Sequence, residues 1–331
     1  MSRLTTFGNA LYTGEKSFDF VGNRVRWYAI GAAIVLLAIV LTVLRGGFSF
    51  GIEFRGGSEF RVSAPSSLSE QTAIDTVTSV AGVTSNPRVS IVGGDSVRVQ
   101  TEQLTDQQTT QLRGDLAEAY AVDLEAVTAS FIGATWGQDI TRQALIGLFV
   151  FLILVSLVMA LYFRTWKMSI AALTALAHDL IVTAGVYGVL GYEITPAAVI
   201  GLLTILGYSL YDTVVVFDKV RENTAHDGEE SRRTFAESVN LAVNQTLVRS
   251  INTSVVAVLP VGSILFIGSV LLGAGTLRDI ALALFIGMIA GTYSSIFIAA
   301  PLYVHLRENE PENKKQGRRV REARPASGAV R

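Results

Sequence analysis

Asp212 and Arg249 are charged residues in parts of the sequence that are otherwise apolar enough to cross a membrane. Asp212 falls inside the run Ala197 to Phe217, and Arg249 opens the next run after a charged segment, Asp218 to Arg233. An ionisable group in lipid costs free energy unless it faces the protein interior and finds a partner. At 1.5 Å per residue, Asp212 lies roughly 9 Å inside the boundary near Asp218. The two groups therefore form either a static ion pair between helices or a proton-handling site.

His178 and Asp179 form a second polar pair, close to the middle of the run Met168 to Leu190. A carboxyl group at that depth must be protonated, paired or hydrated, because an isolated carboxylate there is strongly disfavoured. The pair either relays protons, or Asp179 is neutral and hydrogen-bonded to a neighbouring helix.

Small and hydroxyl side chains lie close to these charged groups along the sequence. They either supply hydrogen bonds to a proton pathway or let helices approach closely. The candidate supporting residues are Tyr208, Ser209, Thr213, Asn252 and Thr253. A further face of small residues, from Gly287 to Ser295, is typical of close helix packing.

The composition indicates an integral membrane protein. Of 331 residues, 50% are hydrophobic and only 17% are charged, and the mean hydropathy is +0.43, which is too apolar for a soluble enzyme. Cysteine is absent, which excludes a disulfide framework and a thiolate nucleophile. The sequence contains no metal-ligand spacing, nucleophile triad or dinucleotide fingerprint, so we expect neither an enzyme nor a cofactor or metal site.

Six apolar runs are long enough to span a bilayer. They are Trp27 to Leu44, Ile140 to Phe163, Met168 to Leu190, Ala197 to Phe217, Ser250 to Leu272 and Leu277 to Val304. The first run follows a polar segment, residues 1–26, and no small-x-small cleavage pattern comes after it. We therefore expect an uncleaved span at 27–44, and spans two to six within 138–306.

Residues 45–137 are polar and contain no run of membrane length. Glu53 to Val62 alternates as a strand does, and Gly93-Gly94 is typical of a hairpin turn. The predicted order of elements is βαββαβ, that of a ferredoxin-like α+β domain. Its first motif, a turn with flexible glycines, contains Glu53, Arg55, Gly56 and Gly57.

The loops predict the orientation. Lysine and arginine concentrate in the loops after the second and fourth runs and in the tail, 307–331, whereas the loop Gly191 to Thr195 has neither. The positive-inside rule then places both termini in the cytoplasm and the α+β domain outside. We expect the basic tail to be disordered. It is either a solvated charged segment or, as the alternative, a contact site for anionic lipid or ribosomal RNA.

Five segments together resemble the signature segments of the SecF family, membrane subunits that work with SecD beside the bacterial Sec protein-export channel. The resemblance covers residues from about 20 to 305. The segments are Gly51 to Gly57, Ala177 to Asp179, Gly207 to Asp218, Asn244 to Ser254 and Gly291 to Phe297. Tyr211 departs from the family pattern, which usually has asparagine before the motif aspartate.

The resemblance implies six spans, an external domain between the first two, and membership of the resistance-nodulation-division superfamily. It also implies a bacterial cell-membrane protein that uses the proton-motive force to complete preprotein translocation. The implied partners are SecD, the Sec channel, preproteins, protons and membrane lipid, with no specific nucleic acid. Asp212 and Arg249 match positions regarded as part of the family's proton pathway, to which we add His178 and Asp179. The alternatives are a passive assembly subunit and an independent proton-coupled exporter.

Overall fold

The computed structural model describes residues 9–82, 87–92, 95–225, 232–268 and 275–323. Within these residues, six helices are long and apolar enough to cross a membrane, which confirms the six predicted spans. In chain order, the first to sixth helices are Arg24–Leu44, Ala134–Phe163, Trp166–Leu190, Pro196–Ala225, Phe235–Ser263 and Gly275–Ser294. The sixth continues through Ser295–Ala299 into Ala300–Arg307.

The fourth and fifth helices extend beyond the apolar runs that predicted them. The fourth continues to Ala225, and the fifth begins at Phe235 rather than near Ser250. Thr234 starts the fifth helix, because its hydroxyl accepts from the amide of Glu237 while the Glu237 carboxylate accepts from the amide of Thr234. This reciprocal cap begins a helix regardless of the hydropathy that follows.

Two π-helical turns interrupt the fifth and sixth helices. Pro260 lies inside the fifth helix, and the turn Ile264–Gly268 follows it. In the sixth helix the turn is Ser295–Ala299, two residues before Pro301. Proline removes a helical hydrogen bond, and such turns occur often at functional sites. The second turn begins beside the polar centre described below.

The α+β domain lies between the first and second helices. Its antiparallel sheet contains β2 (Gly57–Ser63), β3 (Arg88–Val92), β4 (Ser96–Thr101) and β5 (Val127–Ile132), in the order β3-β4-β2-β5. Two helices, Glu70–Ala81 and Asp106–Ala119, pack against the sheet and bury a common apolar core. The hydroxyls of Ser69 and Thr105 cap them. The predicted turn Gly93-Gly94 lies outside the described residues.

The start of the domain differs from the prediction. Ile52–Arg55 is one helical turn, so the predicted strand from Glu53 was wrong, and β2 begins only at Gly57. The turn ends at Gly56, whose φ of 76° is readily adopted only by glycine. Apolar alternation over so few residues does not reveal such a positive φ.

Two contacts at the strand before the fourth helix join the domain to the helices. A short parallel pair links β1 (Ser49–Phe50) to β6 (Glu193–Ile194), which leads into the fourth helix. Arg98 of β4 forms ion pairs with Glu193 and with Glu59. We call this end of the helices the domain end, and the opposite end, near both chain termini, the tail end.

The segment before the first helix is held against the fifth helix. The amide of Phe18 donates to Oδ1 of Asn244 at 2.8 Å, and the amide of Phe20 donates to Oδ1 of Asn240 at 2.9 Å. Phe20 is buried with Leu11 in the apolar core at the tail end. The polar residues that begin the fifth helix therefore bind backbone groups of this segment.

The tail was predicted to be disordered, but Pro311–Ala323 forms a helix, which we call the tail helix. Two acids just before it bind the other helices. Glu308 accepts two hydrogen bonds from Arg24, at 2.7 and 2.8 Å, and Glu310 pairs with Lys167 at 2.7 Å. The composition of the tail predicted disorder, because composition does not reveal that Arg24 and Lys167, far away in the chain, bind these acids. Residues 324–331 lie outside the described part.

Glu310→Gln is expected to lower stability at neutral pH and to have little effect in acid. Burial raises the pKa of Glu310, but hydrogen bonds from Arg307 and Lys167 outweigh it and lower that pKa below its ordinary value of 4.5. The stabilisation is therefore present above the unfolded pKa and is lost as the pH falls through the folded pKa. The measurement is the melting temperature of detergent-solubilised protein across pH. Glu312→Gln, at an exposed position, is the control; a gap between Glu310→Gln and the parent that persists in acid would contradict the assignment.

Candidate functional site

Asp179 lies at a junction of three helices and is completely buried, with 0% of its surface exposed. Its Oδ2 accepts hydrogen bonds from the hydroxyls of Ser209, at 2.5 Å, and Ser294, at 2.8 Å. Its Oδ1 lies 3.1 Å from Nδ1 of His178. The carboxyl group thus has partners on the third, fourth and sixth helices, so it ties these helices together.

His178 extends from this junction towards the first helix. Its Nε2 would lie 3.6 Å from a Cβ at Gly31, and its ring centroid is 5.8 Å from that of Tyr293. Nε2 is buried and has no hydrogen-bond partner among the described residues. The imidazole therefore has one nitrogen on the buried acid and another that can still bind water or a proton.

Asp212 lies in the same helix as Ser209 and is also buried. Its Oδ1 accepts from the hydroxyl of Ser250 at 2.8 Å, while its Oδ2 has no hydrogen-bond partner within the described ranges. Arg249 is exposed instead, with Nη2 3.5 Å from the hydroxyl of Tyr211. The static Asp212–Arg249 ion pair considered from the sequence is thus not formed.

Buried and partly buried hydroxyl residues surround the two acids. Thr213 and Ser295 bond each other at 2.9 Å, and Ser254 bonds Thr292 and accepts from Tyr208 at 3.3 Å. The predicted residues Tyr208, Ser209 and Thr213 therefore face the polar centre. By contrast, Asn252 is exposed and Thr253 only partly buried.

Ser250 and Ser254 are the inward-facing residues of the fifth helix that sequence reasoning missed. They are four residues apart, and therefore share a face that is turned by about 100° from the face of Arg249. The sequence did contain a signal for these inward-facing residues, namely two small hydroxyl residues at i and i+4. It was hidden because Arg249 was expected to face inward.

Glycines bring the fourth and sixth helices close together. A Cβ at Gly287 would lie 2.2 Å from Cγ1 of Ile205, and one at Gly291 would lie 3.0 Å from Cβ of Ser209. Gly201 meets Ala283 in the same way, at 2.7 Å. These contacts confirm the predicted packing face, and we call Gly201, Gly287 and Gly291 the glycine seam. The seam positions Ser209 beside Asp179.

A third buried acid, Asp279, lies at the domain end of the sixth helix. Its Oδ2 accepts from the hydroxyl of Thr195 at 3.0 Å, and Nη2 of Arg278 lies 3.4 Å from its Oδ1. The hydroxyl of Thr195 in turn accepts from the amide of Ala198 at 3.2 Å, in the first turn of the fourth helix. Sequence reasoning missed this acid because it is close to the end of an apolar run, where charges are common.

The first motif of the domain lies against the second helix. A Cβ at Gly137 would come within 2.5 Å of the carbonyl oxygen of Phe54, and one at Gly57 within 2.5 Å of that of Thr101. Burial raises the pKa of Glu53, and burial, together with Arg88, lowers that of Arg55. These residues form a close junction between the domain and the helices, and the polar centre lies elsewhere.

Comparison with known proteins identifies the family. The model of the family described as protein export membrane protein SecD/SecF, C-terminal, matches residues 113–309. The chain belongs to the SecD/SecF family. It is therefore a multi-pass membrane protein of the protein-transport class, and its relatives are named as protein translocase subunits.

SecF proteins are among its relatives. The chain is 46% identical over 331 residues to protein translocase subunit SecF of Streptomyces coelicolor, covering 100% of this chain and 87% of that protein. It is 47% identical over 325 residues to SecF of Mycobacterium tuberculosis, covering 95% and 73%. The crystal structure of SecDF from Thermus thermophilus, a translocon-associated membrane protein, superposes with a TM-score of 0.77 at 31% identity. That match covers 89% of this chain but only 39% of the SecDF chain.

Proposed function

We propose that this protein is a SecF subunit that uses the proton-motive force to assist preprotein translocation through the Sec channel. The observation that carries the proposal is the state of Asp212, a buried carboxyl group with one oxygen bound by Ser250 and the other without a partner among the described residues. A carboxylate in that position is costly. Its ionisation therefore requires new partners, and a change of partners is what a proton-driven device needs.

Arg249 is the partner that we propose for the ionised acid. It directly precedes Ser250, which already binds Asp212. A rotation of the fifth helix through part of the roughly 100° between the two faces, together with reorientation of the long arginine side chain, would exchange the hydroxyl for the guanidinium. One charge that crosses the membrane supplies about 2.3 kcal/mol per 100 mV. That energy shifts an equilibrium between two helix positions substantially.

We propose that a SecD-type chain covers the face on which Arg249 is exposed. Tyr211 and Val256 are exposed on the same two helices, with 55% and 69% of their surface accessible. An arginine inside a membrane span normally pairs with an acid or faces water, so an acid from the partner fits this position. The match to only part of the SecDF chain supports a partner of this kind.

A series of contacts offers a route by which a movement at Asp212 can reach the α+β domain. We propose that this domain is ferredoxin-like and extracytoplasmic, and that both chain termini lie in the cytoplasm. The fourth helix carries Asp212 and is preceded by β6, whose Glu193 binds Arg98 of the domain. Movement of the fourth helix would therefore pull directly on the sheet. The strand order β3-β4-β2-β5 supports the ferredoxin-like assignment, and the basic loops support the orientation.

Asp212→Asn is expected to abolish export that depends on a proton gradient, because asparagine keeps the Ser250 hydrogen bond but cannot ionise. The measurement is preprotein export into inverted vesicles that contain the Sec channel and the SecD-type partner, after ATP-driven insertion is complete. We expect a reduction of about tenfold or more, which corresponds to about 1.4 kcal/mol. Asp218→Asn, at an exposed position on the same helix, is the matched control.

The outcome distinguishes a proton-driven subunit from a passive assembly subunit. If Asp212→Asn exports as well as the parent under a proton gradient, the proton-handling proposal is wrong. If the variant loses the partner on copurification, the acid acts in assembly instead. Retained assembly together with lost gradient dependence is the result that supports the proposal.

A further inference from the structure

A cleft of about 330 Å³ lies at the tail end, between the tail helix and the start of the fifth helix. Thr234 and Phe235 line one side, and Lys314, Arg318 and Arg321 line the other. The three basic residues are four and three positions apart, so they share one face of the tail helix. Their common face concentrates positive charge on this cleft.

The positive charge in the cleft is not neutralised. Glu308 is the acid among the lining residues, and both of its carboxylate oxygens already accept hydrogen bonds from Arg24. Within the described part of the chain, Lys314, Arg318 and Arg321 form no ion pair with a carboxylate. The cleft therefore presents three cations and no free acid to an incoming anion.

We propose that this cleft binds the phosphate of an anionic lipid headgroup. Guanidinium groups match the geometry of phosphate oxygens, and the cleft volume is in the range of small-ligand sites. Phe235 packs against Tyr303 and Arg307, at the end of the sixth membrane helix, so the cleft adjoins the tail end of that span, where headgroups lie. Basic pockets at the ends of membrane helices bind such groups.

A nucleic-acid strand fits the cleft less well. Its aromatic ring, Phe235, already has the guanidinium of Arg307 5.3 Å from the ring centroid, so it offers little surface on which a base could stack. The small volume accommodates one headgroup rather than several nucleotides. The observations therefore favour lipid as the ligand.

The test compares two charge-matched double variants of the full-length chain in mild detergent. Arg318→Gln/Arg321→Gln removes two cations from the cleft, and Lys315→Gln/Arg319→Gln removes two from positions outside its lining. Native mass spectrometry measures binding of short-chain phosphatidylglycerol, phosphatidylcholine and inorganic phosphate. We expect the first variant to weaken phosphatidylglycerol binding about tenfold or more, and the second to change it by less than about threefold.

Three results would overturn the proposal. Equal losses in both variants would show diffuse attraction to the whole tail helix. Inorganic phosphate that binds as tightly as phosphatidylglycerol would identify a site for free phosphate. An RNA oligonucleotide that displaces the lipid and depends on the same two arginines would make the cleft an RNA site. Circular dichroism of each variant checks that helix content is unchanged, and none of these measurements depends on export.

Discussion

Asp179→Ala is expected to lower the free energy of unfolding by at least about 3 kcal/mol, because it leaves three buried groups without their partner at a cost of about 1–3 kcal/mol each. The hydroxyls of Ser209 and Ser294 would lose their shared acceptor, and Nδ1 of His178 would lose its neighbour. All these groups are buried, so water cannot easily replace the carboxyl group. The measurement is chemical denaturation of the purified chain in detergent, followed by circular dichroism.

Asp179→Asn separates the structural role of this residue from proton handling. The amide oxygen still accepts from both serines, and the amide nitrogen can donate to a neutral His178, so we expect a cost of only about 1 kcal/mol. Asparagine cannot ionise, however, and we expect gradient-dependent export to fall as it does for Asp212→Asn. If the alanine variant is as stable as the parent, the assignment of Asp179 as the residue that ties three helices together is wrong. If the asparagine variant exports normally, Asp179 is structural.

Gly287→Ala is expected to destabilise the protein by about 1–3 kcal/mol, the usual cost of overpacking. The new Cβ would lie 2.2 Å from Cγ1 and 3.0 Å from Cβ of Ile205, so more than a flexible side-chain end must move. The same change at Gly207, where a Cβ would meet nothing within 4 Å, is the matched control. We expect that control to be neutral or slightly stabilising, because alanine favours helix over glycine.

The double variant Ile205→Ala/Gly287→Ala tests whether the contact with Ile205 causes this loss of stability. Ile205→Ala removes Cγ1, the nearest obstructing atom, and leaves only Cβ, so Gly287→Ala should cost less in that background than in the parent. Denaturation midpoints of the four proteins give the coupling between the two sites. Additive losses would show that the glycine seam is not set by this contact.

The features that could be predicted from the sequence depend on neighbouring residues alone. Six spans follow from the length of apolar runs, and the helix after Thr105 follows from a cap that acts on the next turn. Even the packing face from Gly287 was recognisable, because small residues at helical spacing have few other uses in membrane helices.

The features that could not be predicted depend on contacts distant in the chain. The polar first half of the fifth helix is stabilised by the segment around Phe18, more than two hundred residues before it. The rotation of that helix decides whether Arg249 or Ser250 faces Asp212. Sequence gives the period of a helix but not this angle, since only the neighbouring helices set it.

The hydrogen bonds between the segment around Phe18 and Asn244 also constrain the order in which the parts of the protein fold. The amide of Phe18 and the side chain of Asn244 are separated by 226 residues, so the first part of the chain to be synthesised waits for one of the last before it can dock. Closing so long a loop is slow and adds little local stability until it is complete. The core at the tail end, with Leu11 and Phe20, therefore closes late, after the fifth helix has formed.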